Sequence, residues 1–161
     1  MKANESAPGP NIKDFEEELT LTELNKALKK LKPRKSPRPD KIHNEMLTHL
    51  GLPGKKVILC FINKTWNQGI LPDSWKIAII KPILKKGKPA DDLRSYRPIS
   101  LSSCLGKLAE RIINQRLYWY LEANKILNVA QAGFRNGHRC EDQLFRLSQK
   151  IIDGFHEKKS T

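Results

Sequence analysis

The sequence predicts an α+β protein that is mostly helical and carries one antiparallel β-hairpin. Apolar residues recur at helical spacing through most of the chain, as in the stripe formed by Leu21, Leu24 and Leu28. Residues 75–101 break this pattern, because two runs rich in β-branched residues, WKIAIIKPIL and RSYRPISL, flank the turn-forming residues KKGKPADD. Repeated helical stripes with a single pair of strands indicate the α+β class.

The first helix has clear boundaries in the sequence. Thr20 and Glu23 form a capping box, with Leu19 and Leu24 at the hydrophobic positions that flank it. Pro33 cannot continue a helix, so the helix should end before it.

The remaining elements follow from local signals. A short helix is expected from Ile42 to Leu50, and another from Pro53 to about Gly69. In the hairpin, the run Ile77–Ile80 has the composition of a buried strand, while Pro82 indicates an edge or an irregularity. A long helix should begin near Ser103, followed by a loop over residues 128–139 and a last helix.

Charge divides the chain into two parts. The protein has 30 Lys and Arg residues against 17 Asp and Glu residues, a net charge of +13, whereas its first twenty residues carry −3. We interpret residues 1–18 as a flexible acidic arm and the rest as a basic domain. Such a basic domain favours a polyanion, most often nucleic acid, over the alternatives of simple solubility or an acidic protein or lipid partner.

Cysteine usage and hydropathy indicate an intracellular protein of the nucleus or cytoplasm. Cys60, Cys104 and Cys140 are odd in number and form no CxxC pair, which is typical of reduced thiols. No apolar run approaches the roughly 20 residues of a membrane span, and the stretch MKANESAPGPN lacks the apolar run of a signal peptide. We therefore expect no membrane partner.

Basic side chains gather at the predicted hairpin, with Lys85, Lys86 and Lys88 around the turn and Arg94 and Arg97 on the return strand. Lysine supplies a mobile point charge and arginine a planar fork for two oxygens, so the set suits phosphate groups. Pro98 would restrict the backbone beside Arg97. A solvated basic turn at a sheet edge is the alternative.

Four motifs in order, WKIAIIKPILKKGK, SYRPISL, CLGKLAERIINQRL and QAGFRNGHRCEDQL, resemble the amino-terminal part of reverse transcriptases from non-LTR retrotransposons, of the jockey and I-element group. KSPRPDKI (35–42) is similar to the loop motif that precedes the fingers in that family. The resemblance implies that residues 19–161 are a partial reverse transcriptase domain: the fingers and the start of the palm of a right-hand polymerase fold, ending before the first catalytic aspartate strand.

The resemblance also implies site residues. Lys85 or Lys86 would correspond to the finger lysine and Arg97 to the arginine that contacts the triphosphate of the incoming deoxynucleotide. Phe134 would stack on a base or pack in the core, and both remain open here. Residues expected near the RNA template and the DNA primer or hybrid are Lys32, Arg34, Lys35, Arg38, Lys41, Gln131, Gly133, Phe134 and Arg135.

Catalysis is expected to lie outside this chain. Polymerase chemistry needs two divalent ions held by carboxylates, Mg²⁺ in the full-length parent. Asp91 and Asp92 fall in the predicted turn, while Asp142 and Asp153 have no acidic partner one turn away. We therefore expect no catalytic residue and no metal site, zinc at His138 and Cys140 included, and a chain that is inactive alone.

Some residues depart from the family pattern. Arg38 and Lys41 stand where glycines are usual, Leu84 where a proline is usual, and Cys140 where serine or threonine is usual. Glycine permits backbone geometry that Arg and Lys reach only at a cost. A repurposed, non-catalytic nucleic-acid- or protein-binding domain is therefore the alternative function. Self-association is expected if the apolar face of the last helix, around Leu144 and Leu147, is exposed.

Overall fold

The computed structural model describes residues 10–34 and 40–156, which divide into two compact units, residues 10–118 and residues 119–156. The elements, in chain order, are α1 (Ile12–Glu16), α2 (Leu21–Lys29), α3 (Asn44–Thr48), α4 (Leu52–Gln68), α5 (Asp73–Lys76), β1 (Ala78–Leu84), a 3₁₀ turn (Leu93–Ser95), β2 (Tyr96–Ser102), α6 (Cys104–Ala123) and α7 (Cys140–His156). The α+β prediction is confirmed, since the described residues form mainly helices and one two-stranded antiparallel sheet.

The core of the first unit is built by α2, α3, α4 and α6. The capping box is present, since Thr20 Oγ1 accepts from the Glu23 amide while the Glu23 carboxylate accepts from the Thr20 amide. The two leucines that flank the box, Leu19 and Leu24, are both buried. The other buried apolar residues are Ala27, Leu28, Leu47, Ile62, Cys104, Leu108, Ala109 and Ile112.

A buried arginine binds the start of α2 and the backbone that precedes it. Arg116 on α6 donates two hydrogen bonds to the carboxylate of Glu23, of 3.0 and 2.8 Å, and further bonds to the carbonyls of Phe15, Glu17 and Glu18. Its side chain is 8% exposed. Within the stretch expected to be a flexible acidic arm, residues 12–16 therefore form a helix whose following backbone is bound by Arg116.

The hairpin pairs β1 with β2 from Ala78–Ser102 to Leu84–Tyr96. The Lys85 amide donates to the Ser95 carbonyl at 2.8 Å, and hydrogen-bonded pairs alternate with non-bonded ones. Pro82 therefore lies opposite Pro98 at a non-hydrogen-bonded pair, where neither missing N–H is needed. This explains how both strands accommodate a proline.

The predicted burial of Ile77–Ile80 is wrong. Every residue of β1 is exposed, including Ile79 at 45% and Ile80 at 56%. An apolar strand is buried only when another layer of structure packs over the sheet. The sequence of the strand alone does not reveal whether such a layer is present. The amino-acid composition thus predicted the strand correctly but its burial incorrectly.

Trp75 fixes the start of the hairpin on the helical core. Its ring stands edge-on to Phe61 of α4, with centroids 5.7 Å apart. A Cβ added at Gly106 of α6 would lie 3.1 Å from the Trp75 ring, so the absence of a side chain there allows the indole to approach the helix. Strand β1 begins three residues later, at Ala78, and is therefore attached to the helical core at its start.

The second unit consists of the end of α6, a loop and α7. Helix α7 has no buried residue, and its apolar side chains Leu144, Leu147 and Ile151 are exposed, as expected. Elsewhere in the described chain, Cys60 and Cys104, like Cys140 of α7, form no disulfide. In the described part of the chain, no helix has both the length and the apolar character that crossing a membrane requires.

Candidate nucleic-acid interface

One face of the hairpin carries exposed cations among apolar side chains. Arg97 lies directly opposite Ile83, and Lys81 directly opposite Ile99. Side chains of facing residues point to the same side of a sheet, and positions two apart share that side, so Lys81 and Arg97 are diagonal neighbours, about 7–8 Å apart at this spacing. Both are exposed, and the Arg97 side chain forms no hydrogen bond or ion pair within residues 10–34 and 40–156. An approaching anion would meet an unpaired guanidinium.

Lys85 and Lys86 lie where β1 leaves the sheet. The Lys85 ammonium donates to the Arg94 carbonyl at 2.7 Å, so it is held across the mouth of the turn. Lys86 is exposed and is followed by Gly87, whose φ of 74° suits the absence of a side chain. The turn therefore holds one lysine in place and leaves the next one in solvent.

The turn is braced by its own polar groups. Asp92 accepts hydrogen bonds from the amide and the guanidinium of Arg94, at 2.9 and 3.3 Å, and the Tyr96 hydroxyl donates to the Ala90 carbonyl at 2.9 Å. Asp92 thus has the structural role in a turn that the sequence favoured. Arg94 is partly neutralised by Asp92, whereas Arg97 is not.

Lys81 is the residue that sequence reasoning missed on this face. The signal was available in principle, since Lys81 and Arg97 stand in opposing strands. Only the register, Lys81 with Ile99 and Ile83 with Arg97, shows that both side chains share a face.

The second set of predicted residues lies on the loop before α3. Lys32, Arg34 and Lys41 are exposed there, while Lys35 and Arg38 lie outside the described residues. Arg34 and Lys41 both have φ of 54°, the left-handed region that favours glycine. The unusual residue at Lys41 therefore coincides with a strained backbone.

This loop is fastened at its two ends. The Asn44 side-chain amide donates to the Lys32 carbonyl at 2.7 Å, and the Arg34 amide donates to the Glu45 carboxylate. The hydrogen bond from the Arg34 amide, reinforced by a further backbone hydrogen bond, lowers the pKa of Glu45. Backbone groups are thus bound while the cationic side chains remain in solvent.

The third set belongs to the second unit. The guanidinium of Arg135 forms a two-fold ion pair with Glu122, both bonds 2.8 Å, and also donates to the Asn128 carbonyl at 3.0 Å. Its side chain is only 14% exposed. Arg135 therefore ties its loop to the end of α6, a structural role that the sequence did not reveal.

Phe134 and its neighbours lie on the surface of that loop. Phe134 is fully exposed with φ of 60°, so core packing, one of its two expected roles, is excluded in this structure. Gln131 and Gly133 are also exposed, and the Gln131 amide donates weakly to the Gly133 carbonyl at 3.4 Å. Of the four residues, Phe134 alone presents a large unsupported side chain.

Two carboxylates of the last helix and its start, Asp142 and Asp153, serve local structure. Asp142 accepts from the Arg139 amide at 2.7 Å at the start of α7, and Asp153 accepts from the Gln149 side chain at 2.8 Å. Among residues 10–34 and 40–156, no three His, Cys, Asp or Glu side chains gather closely enough to hold a metal ion.

Comparison with known proteins supplies the family. The chain is 37% identical over 141 residues to the probable RNA-directed DNA polymerase from transposon BS of Drosophila melanogaster, an alignment that covers 88% of this chain. Over the same length it is 33% identical to the RNA-directed DNA polymerase from mobile element jockey of that organism. The chain belongs to the RNA-directed DNA polymerases of non-LTR retrotransposons. No family model matches it.

The chain corresponds to a short segment of these polymerases. It spans 16% of the BS polymerase and 15% of the jockey polymerase. The probable polymerase from transposon X-element of Drosophila melanogaster is 36% identical over 125 residues, which cover 78% of this chain and 14% of that relative. The resemblance seen in the sequence motifs is thus confirmed at the level of family.

Proposed function

We propose that this chain is the nucleotide- and template-binding front segment of a retrotransposon RNA-directed DNA polymerase, forming the fingers and the start of the palm of a right hand. The observation that carries the proposal is the exposed basic face of the hairpin. Arg97 stands there with an unpaired guanidinium beside Lys81, and Lys85 is held at the mouth of the turn. Membership in a polymerase family supports a nucleotide as the ligand proposed for this face.

The chemistry of the face suits the triphosphate of an incoming deoxynucleotide. The Arg97 fork can bind two phosphate oxygens, while Lys81, Lys85 and Lys86 add point charges that neutralise the group as the bond to the leaving phosphate breaks. The loop with Lys32, Arg34 and Lys41 would follow the RNA template or the hybrid it forms with the DNA primer, through phosphate contacts. Phe134 would stack on a base.

Magnesium ions do not fit the described residues of this chain, since no three suitable ligands converge among them. We therefore assign the chain no catalytic step and expect it to be inactive alone. The metal-binding aspartates would belong to another part of the longer polymerase.

The test is a chimaera in which this chain replaces the matching segment of the BS polymerase. Arg97→Ala should raise the KM for deoxynucleotide about tenfold or more, because a charge-assisted phosphate contact is lost. Affinity for primer–template should stay unchanged. Arg94→Ala is the matched control: it removes the same charge from an arginine already paired with Asp92.

Equal effects of the two substitutions would contradict the assignment of Arg97. They would instead indicate a non-catalytic binding domain, in which every basic substitution acts through charge. For such a domain, each lost phosphate contact with a duplex should reduce the magnitude of the slope of log K against log salt by about 0.9.

The exposed face of α7 supports a further part of the proposal, namely self-association of the chain alone. Leu144 and Leu147 are more than half exposed, and apolar surface of this kind favours contact with a second copy. Sedimentation velocity should show a concentration-dependent dimer that Leu147→Glu abolishes. A monomer at all concentrations would refute this part.

A further inference from the structure

A small cavity with a mostly apolar lining lies between the end of α4, the segment that follows it and α6. Its volume is about 240 Å³, below the roughly 300–1,000 Å³ of sites for drug-sized ligands, so it suits one chemical group rather than a whole nucleotide. Among the described residues, none of those that line it belongs to the hairpin. Its apolar walls are formed by Trp66, Ile70, Leu71, Trp75, Ala109 and Ile113.

The two indole rings of these walls are held by nearly perpendicular contacts with phenylalanines. The ring of Trp66 lies 5.6 Å from that of Phe15, at an interplanar angle of 77°. The ring of Trp75 lies 5.7 Å from that of Phe61, at 80°, and a Cβ added at Gly106 would lie 3.1 Å from it. Aromatic pairs of this geometry stabilise the positions of both rings. The indoles are therefore in place before a ligand arrives, and little conformational entropy is lost on binding.

Glu110 gives the cavity a negative charge. Among the described residues that line it, Glu110 is the only charged one, and it is exposed on α6. A carboxylate repels phosphate groups, so this cavity disfavours nucleic acid although the chain as a whole carries a net charge of +13. Charge complementarity therefore favours a cationic ligand.

The apolar walls decide which cation fits. The face of a tryptophan ring attracts cations, and aromatic sites of this kind recognise quaternary ammonium groups. An unmodified ammonium is strongly hydrated and carries three N–H donors that need acceptors. A trimethylammonium has no N–H donor, and its methyl groups can bury against Ile70, Leu71 and Ile113. The methylated cation therefore loses less than the unmodified one when it leaves water for this cavity.

We propose that this cavity binds the trimethylammonium group of a methylated lysine on a partner protein. The group lies against the indoles of Trp66 and Trp75, with the Glu110 carboxylate beside it. The uncharged methylene stem of the lysine runs along Ile70 and Leu71, which are 63% and 49% exposed. A choline headgroup carries the same cation, but its phosphate would meet the Glu110 carboxylate, so a lysine side chain fits better.

The test is a titration of the whole 161-residue chain with Nα-acetyl-trimethyllysine amide, followed by proton–nitrogen NMR spectra. The matched control ligand is the neutral isostere, in which carbon replaces the side-chain nitrogen. It should bind about tenfold more weakly, because the shape is kept while the attraction of the cation to the indoles and to Glu110 is lost. Unmodified Nα-acetyl-lysine amide should also bind about tenfold more weakly. Equal affinity of either control ligand would overturn the proposal.

The three tryptophans of the chain provide an internal control in the same spectra. The indole N–H signals of Trp66 and Trp75 should shift as the trimethyllysine derivative is added, whereas that of Trp119, which does not line the cavity, should stay in place. This measurement needs no substitution, so it does not depend on how a variant folds. Equal shifts of all three signals, or no shift of any, would refute the site.

Glu110→Gln tests the charge of the cavity without a change in side-chain size. It should weaken binding of the trimethyllysine derivative about threefold, while affinity for the neutral isostere stays the same. Glu141→Gln, which changes an exposed carboxylate of α7 outside this cavity, is the control and should change neither affinity. Equal losses in the two variants would attribute binding to overall charge and contradict the role of Glu110.

Two further ligands identify the source of the cation. Phosphocholine that binds more tightly than the trimethyllysine derivative would overturn the assignment to a protein and favour a lipid headgroup. Nα-acetyl-arginine amide that does so would reassign the cavity to an unmethylated arginine of a partner. No nucleic acid or deoxynucleotide enters these measurements, so their outcome is independent of the hairpin proposal.

Discussion

Arg116 and Arg97 occupy opposite environments in the same unit of this protein. Arg116 lies in the helical core, 8% exposed, with its guanidinium bound to Glu23 and to three backbone carbonyls. Arg97 lies on a hairpin whose first strand is exposed along its entire length. The same type of side chain therefore organises the fold in one region and has no partner among the described residues in the other.

The difference shows that net charge alone does not locate a binding surface. Arg116 and Arg135 both contribute to the positive net charge, yet each forms an ion pair with a glutamate of the same chain. A buried pair of this kind is costly to break, because removing one partner leaves the other uncompensated. Cations that remain exposed and unpaired, such as Arg97, can be exchanged at little cost to the fold.

The largest expected effect comes from breaking the buried pair. Arg116→Ala should lower the free energy of unfolding by about 3 kcal/mol, since Glu23 and three carbonyls lose their donors together. Urea unfolding followed by circular dichroism measures this loss. Arg116→Lys keeps the positive charge but lacks the planar guanidinium, so its stability should lie between that of the unmodified protein and that of Arg116→Ala. A loss below about 1 kcal/mol for Arg116→Ala would show that Arg116 is not a main support of the core.

Acid should weaken the same region. Burial by itself raises the pKa of Glu23, but hydrogen bonds from Arg116 and Thr20 outweigh burial and leave the pKa below its ordinary value. The folded state thus binds the proton less readily than the unfolded state. The resulting stability is present above the unfolded pKa, about 4.3, and is lost as the pH falls through the folded value.

Urea midpoints measured from neutral pH down to about pH 3 check this dependence. Glu23→Gln should flatten the acid limb, because the neutral amide does not titrate in this range. An unchanged acid limb in that variant would assign the pH dependence to other carboxylates.

Relief of backbone strain should act in the opposite direction. Lys41 has φ of 54° just before α3, a conformation that costs a side-chain-bearing residue about 1 kcal/mol. Lys41→Gly should therefore raise the free energy of unfolding by up to about 1 kcal/mol. Lys56→Gly, within helix α4, is the control and should destabilise by a similar amount; destabilisation by both would argue against strain at Lys41.

The smallest expected effect completes the contrast with Arg116. Arg97→Ala should change the free energy of unfolding by no more than about 0.5 kcal/mol, because an exposed side chain without a partner is lost. The same urea titration measures it. A loss comparable to that of Arg116→Ala would show that Arg97 supports the fold, and its assignment to a nucleotide would then need another basis.

Local signals in the sequence determined much of the fold. The capping box at Thr20, the apolar stripe of α2, the hairpin and the loop after α6 all depend on residues close together in the chain, which is why patterns reveal them. Lys85, Lys86 and Arg97 were also selected from local motifs, which surround one turn, and their assignment to a nucleotide stays a prediction.

Tertiary structure alone decided how these residues are used. It exposed Ile79 and Ile80, whose composition indicated burial, and it joined Arg116 to Glu23, 93 residues away. It also tied Arg135 to Glu122 and put Lys81 on the face of Arg97 through the strand register. Burial and ion pairing depend on which segments, distant in sequence, come into contact in the fold. Local sequence patterns do not specify those contacts.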